Sequence, residues 1–364
     1  MSWLNFDDDD GDEPYGEYAD HTVRARPNPK ANRPRTKRRP EHADAVGGMV
    51  TGVDRGRYAV LIATGADPDD ARERTIVASR ARELRREAIV TGDRVQLVGD
   101  VSGDEGTLAR IVSLGDRRTL LRRSADDTDR VERVIVANAD QMLIVIAAAN
   151  PEPRVRLVDR YLAAAYDAGI TPLLVMTKTD LADPGPFLET FASLEIPVFR
   201  SRVGAEPLAE IHDALAGRTT VFVGHSGVGK STLINALVPD ADRATGHVNE
   251  VTGRGRHTSS SSIALRTDPA LVGLDAVPGW VVDTPGVRSF GLGHVEADAI
   301  LRSFHDLAPL IDACPRGCTH LADAPDCELD AAIADGRLDA VGAERVESLR
   351  RLLHDRSSER SSER

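Results

Sequence analysis

Aromatic residues make up only 4% of the 364-residue sequence, so a core must be built from Val, Leu, Ile and Ala. Long apolar runs are missing too. The longest, Met142 to Ala149, falls far short of the ~20 residues that span a bilayer, and no charged-then-apolar leader opens the chain. A cytoplasmic protein without a membrane partner is expected. Three cysteines, an odd number, argue against a secreted disulfide scaffold. Lysine is rare: of 46 basic residues only Lys30, Lys37, Lys178 and Lys230 are not arginine. The plain reading of the preference is a codon bias toward arginine. It makes a lysine in the body of the chain informative, because arginine cannot supply a compact ammonium or a bare aliphatic stem. The net charge of −12 disfavours a clamp that grips nucleic acid with its whole surface, but leaves room for local basic patches.

What remains, 41% apolar and 29% charged, suffices for two or three domains. Residues 1–45 read as a disordered tail, with an acidic block (Asp7–Asp10, Asp12, Glu13) followed by a basic, Pro-rich one from Arg24 to Arg39. The basic half either touches RNA or stays solvated. Over 46–115, short segments such as MVTGV, YAVLI, RTIVA, DRVQLV and GTLARIV fit a small five-stranded β-barrel, the OB-fold among the folds of that kind. Its one aromatic, Tyr58, makes base stacking unlikely as a binding mode. Arg80, Arg82, Arg85 and Arg86 either hold phosphates or form a solvated face. Over 116–295, continuous apolar strands alternate with amphipathic helices, which predicts an α/β domain with a parallel sheet. Residues 296–356 read as helical and carry every cysteine, and 357–364 read as a polar tail.

The strand TVFVG runs into GHSGVGKST. Gly224, Gly229, Lys230 and Ser231 match the phosphate-loop pattern, with His225, Ser226, Gly227 and Val228 between them and Thr232 after. Glycines let successive N–H groups face a phosphate, and the following helix adds its dipole. Lys230 would neutralise β- and γ-phosphate charge, and Ser231 would ligate Mg²⁺. In WVVDTPG, Asp283 ends a strand where it can hold Mg²⁺ through water, and the Gly286 N–H can sense a γ-phosphate. Between the two motifs, HVNEVTGRGRHTSSSS has little to bury. It is a candidate switch, ordered by γ-phosphate and Mg²⁺ through Thr258 or a neighbouring Ser.

PLLVMTKTD approximates the guanine motif N-K-x-D. Asp180 can accept hydrogen bonds from guanine N1–H and the exocyclic amine, and Lys178 can lay its stem over the base. Thr177 replaces the Asn whose amide normally braces neighbouring loops. Ser201 falls where a second base-contacting loop would sit. The base motif precedes the phosphate loop, the reverse of the ordinary order, so the nucleotide domain looks circularly permuted. Finally, CPRGCTHLADAPDC gathers Cys314, Cys318, His320 and Cys327. Such a set suits a tetrahedral, closed and therefore structural Zn²⁺.

In this order, TKTD, GHSGVGKST, GRGRHT, DTPGVRSFG and the Cys/His cluster resemble the ribosome small subunit-dependent GTPase A family over about 46–356. The resemblance implies an OB-fold, a permuted GTPase domain and a C-terminal zinc domain. It implies GTP/GDP and Mg²⁺ as ligands, and the 30S subunit with its 16S rRNA as partner. It also implies GTP hydrolysis that is slow alone and stimulated by the subunit late in assembly. A monomer is expected. Val287 stands where a Ras-like enzyme has a water-orienting Gln. His257 is the side chain of the switch best suited to orient water, and the resemblance points to it as well. Arg256 or rRNA are the alternatives. Two rivals account for fewer motifs: a P-loop phosphotransferase on a small metabolite, and an RNA-binding module that does not hydrolyse GTP.

Overall fold

All five strands expected in the N-terminal region form: β1 (Val46–Asp54), β2 (Arg57–Thr64), β3 (Arg72–Arg80), β4 (Arg94–Gly99) and β5 (Ala109–Leu114). The computed structural model describes residues 42, 44–64, 72–84, 87–124, 132–238, 262–284, 290, 292 and 295–362. The two blocks of the tail, Arg85, Arg86, Arg256, His257, Thr258, Gly286 and Val287 lie outside the described residues. The strands pair in the order β1-β2-β3-β5-β4, and β4 returns to β1, which closes the barrel. The β3–β5 pairing is parallel and the other four are antiparallel. This is the Greek-key closure of an OB-fold. Tyr58 is buried with Val60, Ile76, Leu97 and Ile111, so the one aromatic of this region is a core residue.

A hairpin absent from the sequence reading follows, made of β6 (Leu120–Ser124) and β7 (Glu132–Ala137). The barrel docks against it at very short range. Gly92 has φ +90°, and a Cβ there would overlap the Ala137 carbonyl oxygen. The Ala137 N–H donates to Thr91 O at 3.0 Å and Asn138 Nδ2 donates to Gly92 O at 3.0 Å. Beside them, Arg117 grips the buried Asp93 carboxylate with two nitrogens, at 2.6 and 2.8 Å.

The remaining strands are β8 (Gln141–Ala147), β9 (Thr171–Thr177), β10 (Val198–Arg200), β11 (Thr219–Val223), β12 (Ile263–Arg266) and β13 (Trp280–Asp283). They lie in the order β10-β9-β8-β11-β13-β12 and are parallel except for β12. β8 is buried along its whole length and apolar except for Gln141, as a central parallel strand requires. Helix α1 (Val155–Asp167) covers one face through Val158, Tyr161 and Leu162. The same face receives Leu188 of α2 (Gly185–Glu189). Helices α3 (Leu208–Leu215) and α4 (Lys230–Leu237) cover the other, through Ile211, Leu215, Leu233 and Leu237. At its far edge β12 pairs with β1, so barrel and α/β sheet form one eleven-stranded sheet.

Four helices end the chain among the described residues: α5 (Ala297–Arg302), α6 (Ala308–Ala313), α7 (Glu328–Ala334) and α8 (Ala340–Ser362). Their core, with Ile300, Phe304, Leu329, Val346 and Leu349, includes Ala163 of α1. Phe290 meets Tyr161 of α1 edge-on at 5.7 Å. α8 continues to Ser362, through the stretch expected as a polar tail.

His212 on α3 is buried, and neither ring nitrogen has a hydrogen-bond partner. Burial holds its pKa below the ordinary value, and Asp268 opposes this more weakly. The folded state therefore prefers neutral imidazole. Its contribution is complete above the unfolded pKa of about 6.5 and is lost as pH falls through that value toward the lower folded one. Urea midpoints measured from pH 7.5 to 5.5 should fall, and His212→Leu should flatten that slope.

Candidate nucleotide and metal sites

Strands β8 and β11 are neighbours and parallel, yet their helices α1 and α4 leave to opposite faces. That divergence opens a crevice beyond the carboxyl ends of the strands, the place where open α/β sheets bind ligands. Every described residue expected to bind nucleotide lies at this end.

The phosphate loop leaves β11 at Gly224, where a Cβ would stand 2.6 Å from the Val145 carbonyl oxygen of β8. Gly227 and Gly229 have φ of +81° and +90°, conformations that favour glycine. Val228 between them is buried in the core and anchors the loop. His225, Ser226, Ser231 and Thr232 are exposed. Lys230 opens α4 and pairs with Asp283 at the end of β13. The Thr284 hydroxyl donates to Phe222 O at 2.9 Å, which fastens the residue after β13 to the strand beneath the phosphate loop.

The base motif is bound to that loop directly. Thr177, last residue of β9, is buried, and its hydroxyl lies 2.5 Å from Val228 O and 3.2 Å from Ile146 O. The bracing that the missing Asn amide would provide is thus supplied by a hydroxyl. Lys178 has φ +57°, and its Nζ donates to Gly227 O at 2.8 Å and to Asn150 O. Ser201, buried after β10, donates its N–H to Met176 O at 2.8 Å. Its carbonyl accepts from Thr179 N at 3.2 Å and Thr179 Oγ1 at 3.1 Å. Asp180 stays exposed, and among the described residues no hydrogen bond or ion pair occupies its carboxylate. Asn150 was not anticipated. Its only signal is an Asn-Pro turn directly after an apolar strand.

The second site lies in the C-terminal helices. One ligand atom from each of Cys314, Cys318, His320 and Cys327 falls within 4.8 Å of the others. A turn at Gly317, φ +83°, brings Cys318 N–H to Pro315 O at 3.0 Å and so brings the first two cysteines together. Backbone amides support the sulfurs: Glu328 N–H on Cys314 Sγ and His320 N–H on Cys318 Sγ, both at 3.4 Å. Burial, together with the neighbouring Cys327 and Cys318, pushes the Cys314 thiol up to about 11. Burial and then Arg350 hold His320 below its ordinary value, in the neutral form that ligates metal. Its buried Nδ1 has no hydrogen-bond partner. Three converging sulfurs and an orphaned imidazole nitrogen fit a tetrahedral divalent metal of the zinc type.

Comparison with known proteins agrees with this geometry. The family model described as RsgA GTPase matches residues 114–293. The small ribosomal subunit biogenesis GTPase RsgA of Pseudomonas aeruginosa LESB58 is 36% identical over 274 residues, 73% of this chain and 75% of its own. That of Pseudomonas fluorescens SBW25 is also 36% identical over 274 residues, 73% and 74% of the two chains. The crystal structure of YjeQ from Thermotoga maritima superposes with a TM-score of 0.62 at 23% identity, covering 86% of this chain and 99% of that one. YloQ, described as a circularly permuted GTPase, gives 0.60 at 23% identity, covering 87% and 97%. A central strand and phosphate loop preceded in the chain by their own base motif, and this identity across nearly three quarters of both sequences, place the chain in the RsgA GTPase family.

Proposed function

We propose that this GTPase of small ribosomal subunit biogenesis works as a monomer in the cytoplasm, docks on the 30S subunit through 16S rRNA, and hydrolyses GTP faster there than alone. The observation that carries the reading is the direct bonding of the base motif to the phosphate loop, Thr177 to Val228 and Lys178 to Gly227. It ties recognition of the base to placement of the phosphates. The divisions 46–115, 116–295 and 296–356 are read as barrel, GTPase and metal-binding units.

In this reading Asp180 accepts the guanine donors, Lys178 covers the base and Ser201 closes its far side. Residues 224–232 wrap the phosphates with backbone N–H groups, and Lys230 moves from Asp283 to phosphate oxygens. Ser231 and Asp283 stand at the same end of adjacent strands and, with Thr258, would hold Mg²⁺, which supplies charge neutralisation for the phosphates. The Gly286 N–H senses the γ-phosphate, and His257 orients the attacking water. Cys314, Cys318, His320 and Cys327 hold a structural Zn²⁺ that leaves no open coordination position.

Phosphate release from GTP and from ATP, with and without purified small subunits at fixed salt, tests the whole reading. GTP-selective release that rises with subunits is expected. Release from ATP, or indifference to subunits, overturns it. His257→Ala should lower stimulated turnover by about 10²–10³-fold and leave nucleotide affinity unchanged. Stimulated turnover that survives the change transfers the role to Arg256 or to rRNA. Thr177→Val keeps the shape and removes the hydroxyl, so a fluorescent-nucleotide titration should show GDP and GTP bound roughly tenfold more weakly.

A further inference from the structure

Two arginines of α8 are buried five residues apart, and they hold different neighbours. Arg345 is 1% exposed. Its Nη1 donates to Asp159 Oδ1 of α1 at 2.7 Å and its Nε to Asp306 Oδ2 at 3.3 Å. The guanidinium lies over the Phe304 ring at 4.1 Å and the Phe191 ring at 5.7 Å. Asp159 is equally buried, at 1%. Arg350, on the other side, donates its Nε to the His320 carbonyl at 3.2 Å and pairs with Asp330 at 2.8 Å.

The two contacts have different electrostatic purposes. Three thiolates around a divalent ion leave a charge of about −1 in a partly buried place, and Arg350, bonded to the His320 carbonyl as well as to Asp330, is a cation held beside it. Arg345 is shared between Asp159 and Asp306, and removing it leaves the 1%-exposed Asp159 carboxylate without its buried cation. Arg345 has no polar contact with the four candidate ligands, yet it stands on the same helix as Arg350, less than two turns away. One rigid helix therefore carries the cation beside the metal cluster and the buried ionic contact with the GTPase fold.

We infer that metal binding at the Cys/His cluster and docking of α8 on α1 are thermodynamically linked through Arg350 and Arg345, so that Zn²⁺ latches the C-terminal unit onto the GTPase fold. The inference rests on the zinc reading given above. Linkage is reciprocal: loosening the α1 contact weakens zinc, and stripping zinc loosens α1. A self-contained metal module would show neither effect.

The full chain, loaded with Zn²⁺, is titrated with a chromogenic chelator beside Arg350→Met, Arg345→Met and Asp159→Asn. Linkage expects Arg350→Met and Arg345→Met each to weaken zinc by about tenfold or more, and Asp159→Asn to weaken it by less. Zinc affinity unchanged in Arg345→Met overturns the linkage. Should Arg345→Met fail to fold, amide exchange of the wild type decides. Stripping zinc should speed exchange across 155–167 as well as 314–327, and undiminished protection of 155–167 overturns the latch. A wild-type chain that takes up no Zn²⁺ is a separate result, which overturns the metal reading and the latch together.

Discussion

The parallel pairing of β8 with β11 is the constraint on which the rest of the molecule depends. Thr220 to Val223 lie in register with Gln141 to Ile144, nearly 80 residues earlier in the chain. This one ladder sets the base-side strands β8, β9 and β10 beside the phosphate-side strands β11, β13 and β12. The nucleotide crevice exists because helices leave the two paired strands toward opposite faces. Inverting the chain order of the two halves costs nothing at the crevice, since strand neighbours, not chain order, determine which loops meet.

Once that ladder is formed, short polar contacts make the loops specific. The Thr177 hydroxyl and the Lys178 ammonium both reach carbonyls of the phosphate loop. Both body lysines end on backbone or carboxylate oxygens of this crevice, Lys178 on Gly227 and Asn150 and Lys230 on Asp283. A compact ammonium with three donors fits such converging oxygens, where a planar guanidinium would need more room. The scarcity of lysine elsewhere in the chain thus has a physical counterpart at these two positions.

Much of this was legible in the sequence because its signals are local. Glycines that need positive φ at 227 and 229, strands that read as unbroken apolar runs, and four ligands within fourteen residues need no tertiary knowledge. The barrel strands were equally readable from their spacing, and their closure order was not, since register depends on partners far away. The β6–β7 hairpin escaped because β6 is only five residues long with two arginines, a composition that also suits a loop and leaves β7 without a visible partner. Arg345 looked like any residue of a charged helix. Only the meeting of α1, the turn around His305 and α8 turns it into a buried ion. Ser357 to Ser362 read as a tail because a polar composition says nothing of a helix that is already running when it arrives.

The β1–β12 junction changes what the three units can be to one another. A sheet edge with unpaired N–H and C=O groups is a template for another chain. In this molecule the barrel meets that edge at the first residue of β12, with Gly52 opposite Ile263, and the Thr91 hydroxyl donates to Ser262 O at 2.8 Å alongside. The barrel therefore also occupies the start of an edge that another strand could otherwise pair with. A lineage that lost the barrel would have to blunt β12 by some other means before the remaining fold could stay soluble on its own.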